Sequence, residues 1–185
     1  MKKVISAVLT AAMVVGMGVS VLAATPSKTV ADEVKASGSA TVTGVLGIVS
    51  DVKVTAKDDT TQAEEVLDDI TSDAELQKTA GASEDKKVDI TVTQSFEMQT
   101  SNLLDAANVE LTIESKVIKA AYEDNEEVTV LVAVPTTKAD GTVTYTYHTV
   151  TGKVVNGEIV VNLKGRQVKL YGSNFVLVAV KTIEG

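Results

Sequence analysis

Of the 162 residues that follow Ala23, 48 are Val or Thr. Branching at Cβ stiffens χ1 and crowds a helix, yet it packs well on a pleated surface. A chain of this kind is driven toward sheet, and its apolar spacing shows where. Val88, Ile90, Val92, Phe96 and Met98 alternate with Asp89, Thr91, Thr93, Ser95 and Glu97, the period of a strand with one wet face, broken only by Gln94 on the apolar side. Val109, Leu111 and Ile113 begin another strand. In Val128–Val134 and Phe175–Val180 both registers are apolar, which predicts central strands covered on both faces. Pro135 ends the ladder of the first, because it has no N–H to donate.

Turn chemistry joins these runs into hairpins. Asp140-Gly141 and Asn156-Gly157 each lie between strand-like segments, and such pairs supply the positive φ of tight turns. Hairpins are therefore expected between Val128–Val134 and Thr142–Val150, and between Val154–Val155 and Glu158–Leu163. One region is helical. Thr61-Gln62-Ala63-Glu64 has the form of a capping box, followed by Ala63, Val66, Leu67, Ile70 and Ala74 on one stripe. Ser72-Asp73-Ala74-Glu75 is a second box, so a break near Thr71 is expected, and Gly81 is a natural stop. Glu64, Glu65, Asp68 and Asp69 suit the helix dipole and need no catalytic explanation.

The expected fold is mainly β: an antiparallel Ig-like β-sandwich of about seven strands with one helical segment near residues 60–80. Three regions are expected along the chain. Lys2 and Lys3, the apolar run Val4–Leu22 and the small residues around Ala23-Ala24 have the form of a signal peptide cleaved after Ala23. Residues 24–40 are read as a flexible lead-in, and residues 41–185 as a single β-sandwich domain with a helical insertion. The expected location is secreted, in the extracellular space or cell envelope, with no membrane span after cleavage.

Composition removes several chemistries. The chain has no Cys, a single His and a net charge of −8, which excludes thiol catalysis, disulfides and polyhistidine metal sites and argues against nucleic acid as a partner. From Asp51 to Glu127 there are seven Lys against 20 acids, and from Val128 onward six basic residues against three acids. The acidic front half reads first as a solvated helix and loops, and as the alternative it offers a field for a cationic partner or a second copy. His148 shares a strand face with Thr144 and Thr146, opposite Val143, Tyr145 and Tyr147, and no Gly-x-Ser-x-Gly elbow accompanies it. Tyr145 and Tyr147 fit core or interface packing better than sugar stacking. Glu123-Asp124-Asn125-Glu126-Glu127 offers oxygen ligands for calcium without the spacing of an EF-hand, leaving a calcium site and a solvated loop both open. No phosphate-binding glycine motif occurs, and no cofactor is implied.

The run Val128–Pro135, the turn Asp140-Gly141, the strand ending Tyr147-His148, the hairpin at Asn156-Gly157 and the closing Ser173-Asn174-Phe175-Val176-Leu177-Val178-Ala179-Val180 follow a recurrent order. Over Thr60–Val180 the chain resembles small exported β-sandwich modules of anaerobic Gram-positive bacteria, although Asn174 stands where that pattern usually has Pro. The resemblance rests on strand ends and turns, so it implies a fold and an exported setting but passes no catalytic role to any residue. The function expected is a secreted, non-catalytic module with a structural or binding role. Its partner is an unidentified protein or glycan, with self-association through a sheet edge a further expectation. The alternative is a small secreted hydrolase built on carboxylates, with or without calcium.

Overall fold

The computed structural model describes residues 35–41, 51–70, 73–82 and 86–183. Ala23 and Ala24, at the expected cleavage site, lie outside them. The strands are β1 (Lys35–Thr41), β2 (Asp51–Ala56), β3 (Lys87–Ser101), β4 (Asn108–Glu114), β5 (Glu127–Thr137), β6 (Val143–Val155), β7 (Glu158–Lys164) and β8 (Asn174–Ile183). Between them run helices α1 (Thr61–Asp69), α2 (Asp73–Ala80), α3 (Lys116–Ala121) and α4 (Gly165–Tyr171). β1 takes up the end of the stretch read as a lead-in.

All eight strands join one antiparallel sheet in the order β1-β4-β7-β6-β5-β8-β3-β2. Its two edge strands, β1 and β2, lie against each other, so the sheet is curled nearly closed into a barrel. This differs from the expected Ig-like sandwich, whose strands divide between two sheets. Here the ladder continues unbroken from β6 through β5 and β8 to β3. Alternation fixes which face of a strand is apolar, but it does not say whether the opposing wall is a second sheet or the same sheet curling back.

The expected hairpins are present. β5 pairs with β6 from Glu127↔Lys153 to Thr137↔Val143 in one unbroken register, and β6 with β7 from Gly152↔Val161 to Val155↔Glu158. The strand does not end at Pro135 as expected but runs on to Thr137, because Pro135 turns its missing N–H to the β8 side, where pairing already stops at Ala133. Asn156 and Gly157 both take positive φ in the tight turn between the latter two.

The two-sided apolar strands divide their side chains between two cores. Val128, Val130 and Val132 of β5 and Phe175, Leu177 and Ala179 of β8 point into the barrel with Phe96, Ile113 and Ile159. Leu131, Ala133, Val176, Val178 and Val180 point outward, where α1 and α2 cover them with Val66, Leu67, Ile70 and Leu76. β3 serves both cores, which its regular alternation conceals. A bulge at Thr91 separates Ile90↔Val180 from Val92↔Ala179, so Val88 and Ile90 belong to the outer core and Val92, Phe96 and Met98 to the inner one. The Thr91 hydroxyl donates to the Ala179 carbonyl oxygen (3.1 Å) and shares a 2.6 Å hydrogen bond with the Tyr122 hydroxyl, fixing the extra residue. Gln94, the polar interruption, donates from Nε2 to the Lys57 carbonyl oxygen (2.7 Å), tying β3 to the end of β2.

The helical region breaks as its two boxes predict, since α1 ends at Asp69 and α2 begins at Asp73. The start of α1 differs by one residue. Thr60, not Thr61, is the N-cap, and its hydroxyl donates to Glu64 Oε1 (2.9 Å). Asp59 Oδ1 accepts both the Thr61 hydroxyl (2.6 Å) and the Thr61 N–H (3.0 Å), which removes Thr61 from the capping role. Ser72 lies outside the described residues. α3 and α4 are not foreseen, because six or seven residues carry too little periodicity to register.

Candidate functional site

Outward-facing side chains of β6 meet the α1–α2 pair. The Tyr145 hydroxyl donates to Glu65 Oε2 (2.7 Å), the Tyr147 hydroxyl to Asp69 Oδ2 (2.7 Å) and the Thr149 hydroxyl to the Thr79 carbonyl oxygen (2.9 Å). These positions are i, i+2 and i+4 on one strand face, whereas Glu65 and Asp69 are one turn apart on α1, so a strand period is matched to a helix period. Both rings are half-buried against the outer core. Burial, and then the carboxylate beside each hydroxyl, push both phenol pKa values well above the usual range. Of the core or interface packing expected for these tyrosines, the structure shows the rings set against the outer core and their hydroxyls on the helix pair.

Beside Tyr147 the same elements leave a depression of about 480 Å³, lined by Asp69, Ile70, Glu75, Lys78, Thr79 and Tyr147. It has an apolar wall in Ile70, an aromatic ring edge, two carboxylates and one ammonium. Sequence reading does not find this place. Tyr147 and Thr79 are far apart along the chain, and only the docking of α2 on β6 unites them. A second depression of about 490 Å³ lies where β3 meets α4, lined by Met98, Gln99, Thr100, Val168, Lys169, Gly172 and Ser173.

The other candidates are held by structural bonds. His148 faces the opposite side from the tyrosines, as expected, and its ring lies 5.4 Å from that of Tyr171. Tyr171 in turn contacts Phe175, which stacks on Phe96, so His148 is the outer end of a row of rings entering the barrel. In the acidic loop, Asp124 Oδ1 accepts the Asn156 N–H (2.6 Å) and Glu126 Oε2 accepts the Glu123 N–H (2.8 Å). The Asn125 N–H bonds the Val154 carbonyl oxygen (2.8 Å), and Glu126 lies 3.5 Å from Lys181. The loop thus clasps the β6–β7 turn. Among the described residues no group of three His, Asp or Glu side chains is placed to hold a metal ion. Nor is any described helix long and apolar enough to cross a membrane.

No known protein family, curated protein or solved structure matches the chain.

Proposed function

We propose that the chain is an exported, non-catalytic β-module that acts by binding in the extracellular space or cell envelope. The observation that carries this reading is the use made of its titratable groups. Glu65 and Asp69 anchor tyrosines, Asp124 and Glu126 fold a loop, and the His148 ring lies tilted against that of Tyr171. Export is supported by the N-terminal pattern of two lysines, an apolar run and small residues. The test is the melting temperature of residues 24–185 against calcium, cell-wall fragments, glycans and peptides. A ligand at about 100 times its Kd stabilises by about 2.7 kcal/mol, a rise of roughly 5–10 °C for a domain of this size.

One observation favours the hydrolase alternative: Asp69 and Glu75 line the same depression. Against it, Asp69 already accepts the Tyr147 hydroxyl and Lys78 shares the lining. Turnover of glycan or peptide substrates that disappears in both D69N and E75Q would replace the module reading.

A further inference from the structure

β6 has a long side that no described strand covers. β5 pairs with it from Val143 to Lys153, but β7 pairs with it only from Gly152 to Val155. At the two ends of β6, the Thr142 carbonyl and the Val154 N–H and carbonyl bond toward the β5 side, to Lys138, Glu126 and Asn125. Backbone direction alternates along a strand, so the N–H and C=O groups of Val143, Tyr145, Tyr147, Thr149 and Thr151 point away from β5. Among the described residues no strand meets those of Val143 to Thr149, while Thr151 stands at the end of the β7 ladder that Gly152↔Val161 opens. The stretch Val143–Thr151 reads VTYTYHTVT, with no charge, proline or glycine and no bulge. Those are the devices by which open edges are ordinarily protected from pairing.

The surface above this edge is acidic. A strand added to it places every second side chain on the same face as Tyr145, Tyr147 and Thr149. There it lies alongside Glu65 and Asp69, and beside the depression lined by Asp69, Glu75 and Lys78, where two carboxylates outnumber one ammonium. That field disfavours a second copy, which would bring a matching set of acids across the junction. We infer that the β6 edge takes up an extended peptide segment whose alternate side chains are cationic, one of them seated in the depression beside Tyr147. Backbone bonds to β6 supply the ladder, and the acids of α1 and α2 select Lys or Arg at every second position. This deepens the binding-module reading and rests on it.

The test is fluorescence anisotropy of residues 24–185 with three labelled peptides: one alternating Lys with Thr and Val, one with Glu in place of Lys, and the Lys peptide N-methylated on alternate backbone amides. The Lys peptide is expected to bind, and the Glu and N-methyl peptides to bind at least roughly tenfold more weakly, since each loses a set of charge pairs or hydrogen bonds. In the protein, D69N and E75Q, with little change in side-chain shape, should weaken the Lys peptide several-fold and leave a neutral Thr/Val peptide unchanged. Equal binding of the Lys and Glu peptides, or no loss on N-methylation, overturns the proposal. So does concentration-dependent dimerisation of the free protein that T146K abolishes, because a second copy then holds the edge. If none of the peptides binds while a glycan or calcium raises the melting temperature, the strand proposal fails and the binding-module reading stands.

Discussion

At the scale of single residues, Tyr122 links three elements. It caps α3, shares a hydrogen bond with Thr91 at the bulge, and carries Lys181 Nζ 5.0 Å from its ring centroid. Lys181 also donates to the Ala121 carbonyl oxygen. Burial pushes the Tyr122 phenol up to about 12, and the Thr91 hydrogen bond only partly offsets this. A folded-state pKa above the unfolded value means that the folded chain holds the proton longer. The stability this group confers is therefore complete below about pH 10 and is lost as pH rises from there through about 12. The difference between wild-type and Y122F spectrophotometric titrations should show one phenol ionising above the free value, and Y122F should lessen the alkaline fall in stability. The remainder belongs to Tyr145, Tyr147 and Tyr171, which burial also pushes up. Gly165 is a steric case. A Cβ there would stand 1.9 Å from the Leu104 carbonyl oxygen, so G165A should cost about 3 kcal/mol in urea unfolding.

At the scale of elements, the α1–α2 pair replaces the second sheet that the sequence leads one to expect. Its hold on the sheet is mostly apolar. Leu76 is fully buried beneath α2, and L76A should cost about 3 kcal/mol through lost transfer energy and the cavity it leaves. The tyrosine–carboxylate bonds are smaller and more exposed. Y145F and Y147F should each cost about 1 kcal/mol, and together they should raise amide exchange in α1 and α2 more than in β5 or β8. The bulge is different in kind, since it sets register rather than adding a contact. Deleting Thr91 would join Ile90 directly to Val92 and carry one end of β3 to the wrong face. Circular dichroism of that deletion should show loss of the cooperative transition.

For the whole molecule, the nearly closed sheet and its outer helix pair leave β6 as the place where ladder, acids and a depression coincide. The acidic front half is therefore more than a solvated face at this point, because α1 and α2 carry its carboxylates onto a strand of the mildly basic back half. If the exported reading holds, intact-mass analysis of chain secreted from a Gram-positive host should find Ala24 at its N-terminus. Retention of residues 1–23 in the secreted product would count against it.

Much of this could be read along the chain. The positive-φ turn at Asn156-Gly157, the two-sided strands Val128–Val134 and Phe175–Val180, and the helical break near Thr71 are local, and local sterics and periodicity determine them. The opposed faces of Tyr147 and His148 follow from a period of two. What covers those faces does not. Whether Leu131 meets another sheet or a helix pair, whether β1 reaches β2, and whether Asp69 finds Tyr147 all depend on contacts between residues distant in sequence. The clearest instance is β3, whose alternation looks like one continuous face. A single extra residue at Thr91 turns it over, and only the register against β8, across the assembled sheet, reveals that Ile90 and Val92 lie in different cores.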